Sequence, residues 1–353
     1  MKNIIINKIT MTLIFIGALI LGSFPASAAD VIRLKTVGNS GKSPAWQWAP
    51  YEKLMETVKR NTDGRVELQI YPPGQLVPYV QHLEAVRAGV LDIATVAPGY
   101  YNNEFALSNI WNFMYTDLGT DPVRSTRMWN DLYDNYMSMD FEKLDLECIG
   151  GSGSPIIAYD LFTIDKPIKR YEDMKGLKLR SNSAAMSAMH KSAGAVPVFM
   201  GGGAVPDALS KKMLNGVPMS DHWGLAIPIW EYGKPGYWTV TGSYPQGVSC
   251  FAASNRRNTK WTKKVSEADK EVIGAAFRQF VIDEAKAVNV AAADFKKGAL
   301  ANGMILSEWP DSEKKRFAEA WKPLIEEAIA FAKKEGAPAK YMMEAMHKWV
   351  KDN

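Results

Sequence analysis

The chain has 353 residues, 23% of them charged, and a formal net charge of +4, a length that suggests two domains, each burying its own core. So small a positive excess, with no basic stripe interleaved with aromatics, argues against a nucleic-acid partner. Four scattered histidines (His82, His190, His222 and His347) and two cysteines outside any Cys-x-x-Cys pair argue against a structural zinc site. No motif calls for a cofactor.

The first residues pair Lys2 and Lys8 with an apolar stretch from Met11 to Leu21 and then Pro25-Ala26-Ser27-Ala28. A basic start, a short apolar region and an Ala-x-Ala site predict a secretory signal peptide over residues 1–28. The apolar stretch is short for a membrane span, and none of the later ones is long enough. The expectation is an exported, periplasmic mature chain of residues 29–353 with a net charge of +2. In that oxidising compartment Cys148 and Cys250 either form a disulfide or remain buried free thiols.

Val31 to Val37 reads as a first strand, after which Pro50 opens a helix with Tyr51, Leu54, Met55 and Val58 on one face. Asn61-Thr62-Asp63-Gly64 is a turn, and Val66, Leu68 and Ile70 alternate as in a strand. Pro72-Pro73-Gly74 ends that strand, a short helix runs from Val80 to Ala88 with Gly89 as its stop, and Leu91 to Val96 is a buried strand. This alternation is that of an open α/β sheet. It returns after a boundary near Gly150-Gly151-Ser152-Gly153. There, strands are expected at Ile156–Phe162, Lys178–Arg180, Val196–Phe199 and Val217–Ser220, and helices at Ala184–Ala193 and Pro206–Met213.

Ser266-Glu267-Ala268-Asp269 approximates a capping box. The apolar pattern beyond it, from Val272 through Phe280 to Leu300, predicts a helix long enough to span both lobes. A final helical stretch from Ser312 to Lys333 and a tail from Pro338 would pack on the outside.

Several segments resemble the solute-binding proteins of TRAP transporters, the dicarboxylate-binding (DctP-like) family. They are Ile70-Tyr71-Pro72-Pro73-Gly74-Gln75-Leu76, Leu83 to Ile93, Lys175-Gly176-Leu177-Lys178-Leu179-Arg180, Gly194 to Val198 and Ala208-Leu209-Ser210. The resemblance implies an α/β, two-lobed periplasmic binding protein (a Venus flytrap) that closes on its ligand and docks on a membrane permease. The lobe boundaries expected are 29–155 with 246–285 for lobe I and 156–245 with 286–320 for lobe II. Residues 321–353 form a C-terminal helical segment.

The resemblance also places Arg180 in the interlobe cleft, where a planar guanidinium fork matches a ligand carboxylate; the competing reading is an ion pair with a structural acid such as Asp173. Some relatives carry a second arginine on the strand around Tyr159, but here it reads Ile157-Ala158-Tyr159-Asp160-Leu161. The family's Val-Asp-Gly motif appears as Leu214-Asn215-Gly216, and Met219, Ser220 or Asp221 stands where some relatives present asparagine. These departures predict a less polar pocket. Trp46, Trp48, Tyr100, Tyr101 and Trp223 follow strand ends, where open α/β sheets bind ligands; Tyr100 and Trp223 match family contact positions. Asn39 at the end of the first strand, and Asp221 as an acceptor for a ligand hydroxyl or ammonium, complete the candidates.

The reading is therefore a monomeric receptor, not an enzyme, that takes a small organic acid with an apolar portion to a TRAP permease. Asp221-His222 lacks a third catalytic member, and Gly201-Gly202-Gly203 lacks the Lys-Ser/Thr of a phosphate loop. The alternative is a periplasmic sensor domain presenting the same ligand to a membrane signalling protein.

Overall fold

The computed structural model describes residues 30–42, 45–101, 103–111, 121–152, 159–242 and 248–353, with the side chains of 45, 46 and 152 excepted. The expected signal peptide lies outside the described residues. Among those described, no helix is long and apolar enough to cross a membrane.

Lobe I begins with β1 (Ile32–Val37), α1 (Ala45–Asn61), β2 (Val66–Tyr71), α2 (His82–Arg87) and β3 (Ile93–Val96). β1 pairs in parallel with both β2 and β3. β2 alternates buried and half-buried positions, as its Val-x-Leu-x-Ile pattern requires. Helix α1 starts before Pro50, not at it, so that proline lies inside the helix. Proline removes a single backbone donor there, and the first turns bring Gln47 and Pro50 to the cleft.

Helices α3 (Ala106–Ile110), α4 (Pro122–Leu132) and α5 (Ser138–Glu142) then lead to β4 (Leu146–Ser152). Gly150 and Gly151 belong to this strand rather than to a linker. A side chain at Gly150 would collide with the backbone of Phe277, and one at Gly151 with the ring of Trp129. The glycines serve close packing, and the crossing to lobe II begins after them.

Lobe II contains β5 (Tyr159–Thr163), β6 (Lys178–Ser181), α6 (Ala184–Ser192), β7 (Val196–Phe199), α7 (Val205–Ser210), β8 (Gly216–Ser220), α8 (Asp221–Ala226) and β9 (Tyr237–Val240). β10 (Ser249–Ser254) then returns to lobe I and inserts antiparallel between β3 and β4. With β11 (Ile305–Glu308) at one edge of the second, the two sheets have the orders β2-β1-β3-β10-β4 and β11-β9-β5-β8-β6-β7. Cys148 on β4 and Cys250 on β10 form a disulfide, their Cα atoms 5.7 Å apart, which settles the question the sequence left open.

After α9 (Lys260–Lys264), α10 runs unbroken from Glu267 to Ala301. Its 35 residues span about 52 Å at 1.5 Å per residue. Ser266 caps it, its hydroxyl accepting from the Asp269 amide at 3.1 Å and donating to the Asp269 carboxylate at 2.8 Å. Phe277 and Phe280 enter the lobe I core and Phe295 the lobe II core, so one helix ties the lobes together.

β11 (Ile305–Glu308) edges the second sheet. Three helices follow: α11 (Asp311–Ala320), α12 (Lys322–Lys334) and α13 (Ala339–Asp352). The single helix expected from Ser312 to Lys333 is broken at Trp321 because Pro323 cannot donate back to the preceding turn. These helices are integral to the cores: Phe317 and Trp321 pack in lobe II, and Met342 and Met346 in lobe I.

Candidate functional site

A cavity of about 630 Å³ lies between the lobes. Its walls come from the carboxyl ends of β1, β2, β3, β6, β7 and β8, and from one face of α10. Parallel strands end there with exposed backbone groups and loops, so the position follows from the topology. Its volume is that of a small-molecule site.

Arg180, on β6 of lobe II, is 4% exposed. Its Nη2 donates to the Tyr100 hydroxyl across the cleft at 3.2 Å, and its Nε is buried without a hydrogen-bond partner. Among the described residues no acid pairs with it; Asp173 instead pairs with Arg170. The Tyr159 hydroxyl accepts from Asn182 Nδ2 at 3.1 Å. Burial pushes that phenol's pKa up, and the Arg180 charge partly offsets the shift. The arrangement is a desolvated cation with donors to spare, suited to a planar anion.

The aromatic wall is built from Tyr79, Tyr100, Tyr159 and Trp223. Tyr79 and Tyr100 meet edge-on at 5.4 Å, and Tyr100 meets Phe199 of lobe II at 5.7 Å. Gly202 explains the seat of Trp223: a Cβ at this position would overlap the indole ring. The glycine triplet thus joins β7 to α7 as part of the cavity wall, letting an aromatic side chain lie on backbone.

Opposite Arg180, α10 presents Glu284, which is 6% exposed. Burial raises its carboxyl pKa to about 7, with Asn39 and Ser40 side-chain hydrogen bonds opposing the shift. Its Oε2 has no hydrogen-bond partner. Asn39 is held in turn by Tyr51, whose hydroxyl donates to the Asn39 carbonyl oxygen and accepts from the Asn39 amide N at 3.1 Å. His222 also lines the cavity, and burial lowers its pKa to about 3, so the imidazole is neutral.

Of the residues expected from sequence, Arg180, Trp223, Tyr100, Asn39, Met219 and Tyr159 all line this cavity. Asp221 is absent from the lining; it opens α8, and its carboxyl interacts with that of Asp160. Burial and then the Asp160 charge raise the Asp221 pKa to about 8, while Asp160, raised to about 7 chiefly by burial, accepts from Trp238 Nε1 at 2.7 Å. The turn from strand to helix after Ser220 carries His222 and Trp223 to the cleft and leaves Asp221 out of it. Trp46 has its side chain outside the described residues. Trp48 packs in the lobe I core against Tyr51, and Tyr101 also joins that lobe's core.

Glu284, Tyr79, Asn182 and Gln47 were not anticipated. Glu284 had a legible signal: it sits among Phe280, Val281, Ala285 and Val288, a lone acid on the apolar face of a helix. Among the described residues, no group of three or more His, Cys, Asp or Glu side chains could hold a metal ion.

The family model for bacterial extracellular solute-binding proteins of family 7 (DctP) matches residues 39–220. The outer membrane transporter protein TsaT of Comamonas testosteroni is 26% identical over 264 residues, 72% of this chain and 75% of that one. A marine-metagenome TRAP solute-binding protein specific for aromatic acids, solved with 3-hydroxybenzoate, superposes with a TM-score of 0.78 at 20% identity, covering 91% of this chain and 98% of the other. A TRAP periplasmic solute-binding protein of Roseobacter denitrificans with bound β-D-glucuronate gives 0.77 at 16% identity, covering 89% and 99%. The chain belongs to the DctP family, the bacterial extracellular solute-binding proteins of family 7, and is a solute-binding protein, not an enzyme.

Proposed function

We propose that this protein captures a small organic anion with an apolar portion, closes its two lobes around it, and delivers it to a TRAP membrane permease. The observation that carries the reading is Arg180: a guanidinium buried in the cleft with no acid beside it among the described residues. An unpaired buried charge is costly, and a ligand carboxylate or sulfonate relieves that cost as the lobes shut. Tyr100, Tyr159, Met219 and Trp223 hold the apolar body, and Asn39 lends a polar contact from lobe I. Relatives of the same fold hold 3-hydroxybenzoate and β-D-glucuronate, and the aromatic wall here favours the first kind of ligand over a sugar acid.

In this proposal the chain works as a monomer in the periplasm after loss of residues 1–28. The moving units are 29–155 with 246–285 and 156–245 with 286–320, and residues 321–353 brace them. The test is a thermal-shift screen of refolded, ligand-free protein against carboxylates, sulfonates and the neutral amides of any hits. Ligand at about a hundred times its Kd stabilises by about 2.7 kcal/mol. A shift with an acid but not its amide supports anion capture; an equal shift with both refutes it.

A further inference from the structure

Glu284 is an unusual group to find in an anion-binding cavity. It lies on α10 at the lobe I side, fully desolvated, with Oε2 buried and unpartnered. The donors around it are committed. Asn39 and Ser40 both favour the charged carboxyl, yet the one hydroxyl proton of Ser40 goes to the Asn39 side-chain oxygen, which also accepts from the Tyr51 hydroxyl. The neighbouring helix positions on the wall, Ala287 and Val288, offer no donor. A buried acceptor without a partner costs free energy that a bound donor restores.

We infer that the cavity recognises a hydroxy acid: Arg180 takes the acid group from lobe II, and Glu284 accepts a hydrogen bond from a ligand hydroxyl on the lobe I side. This rests on the anion-capture reading and adds a second recognition point to it. Burial pushes the Glu284 pKa to about 7, so the carboxyl reaches neutrality easily and need not oppose an anionic ligand. Because Tyr51 fixes Asn39, which in turn faces the carboxyl, the acceptor is preorganised rather than recruited.

The experiment compares matched acids on ligand-free full-length mature protein by calorimetry. One set is benzoate with 3-hydroxy-, 3-methoxy- and 3-(aminomethyl)benzoate; the other is butyrate with its 3-hydroxy and 3-methoxy derivatives. In whichever set binds, the hydroxy acid is expected to bind about ten- to a hundredfold tighter than its methoxy partner. Glu284→Met should abolish that preference and still bind the parent acid, while Glu284→Gln, which keeps an acceptor oxygen and the side-chain shape, should retain part of it. Equal binding of hydroxy and methoxy acids by the wild type overturns the inference, as does a preference that survives in Glu284→Met. Tightest binding of the aminomethyl acid overturns it in favour of an ammonium. If parent acids bind without regard to the hydroxyl, anion capture stands and only the second recognition point falls. If no acid of either set binds, both fall together.

Discussion

Replacing Arg180 by methionine separates a ligand clamp from a structural arginine, because the two roles predict opposite changes in stability. Methionine keeps most of the buried stem and removes the charge. In the ligand-free protein the loss is a charge-assisted hydrogen bond from the guanidinium to the Tyr100 hydroxyl at 3.2 Å, with a weaker interaction at the Tyr159 hydroxyl, about 2–3 kcal/mol in all. Against that stands relief from burying a cation that no acid among the described residues neutralises and whose Nε has no partner there, which is of the same order or larger. Arg180→Met is therefore expected to melt, ligand-free, no lower than wild type, at about 2 °C per kcal/mol for a chain of this size. Its affinity for an organic acid should fall by about 2–5 kcal/mol, roughly 30- to 5,000-fold, because the ligand's charge is then buried alone. Arg180→Lys keeps the charge without the fork and should fall between. Differential scanning calorimetry of the ligand-free proteins and titration calorimetry with the best acid give both numbers. A clear drop in melting temperature with affinity within a few-fold of wild type would show that Arg180 is paired structurally and would refute the clamp.

Glu284 carries a folded-state pKa raised from 4.5 to about 7. Its neutral form is favoured on folding, so its stabilising contribution is full below about pH 4.5 and is lost as pH rises through 7. The difference in ligand-free unfolding free energy between Glu284→Gln and wild type, read from denaturant titrations, should shift in the variant's favour from pH 5 to pH 8, by an amount on the order of 3 kcal/mol; Asp160 and Asp221 titrate in both proteins and largely cancel. A gap independent of pH would contradict the assignment. Gly202→Ala should lower stability and alter tryptophan fluorescence by displacing Trp223, whereas Gly203→Ala, whose Cβ meets nothing within 4 Å, should do neither. Reducing Cys148–Cys250, which closes a loop of 102 residues, should lower the denaturant midpoint by the equivalent of about 4–5 kcal/mol; an unchanged midpoint with reductant would rule out that contribution.

Local pattern carried a large part of the fold. The β2 alternation, the Ser266 cap and the α10 stripe depend on neighbours within a turn or two, so periodicity finds them. The glycines near residue 150 mark a boundary in the sequence because sequence cannot distinguish a glycine that bends from one that admits a neighbour. Phe277 lies 127 positions away from Gly150, yet its backbone is what excludes a side chain there. The site divided in the same way. Arg180, Tyr100 and Trp223 follow strand ends and could be placed by topology and resemblance. Asp221 could not be placed, because strand β8 turns into helix at that residue and the face it presents is set by the turn.

By itself the sequence determined the α/β alternation, the two-lobed plan with its spanning helix and the arginine at a strand end, since each follows from short-range periodicity or from a motif. Tertiary structure alone decided that Cys148 meets Cys250, that no acid among the described residues pairs with Arg180 and that Glu284 faces the same cavity. Pairing, burial and the lack of a partner depend on what distant segments bring to one place, and no local pattern encodes that.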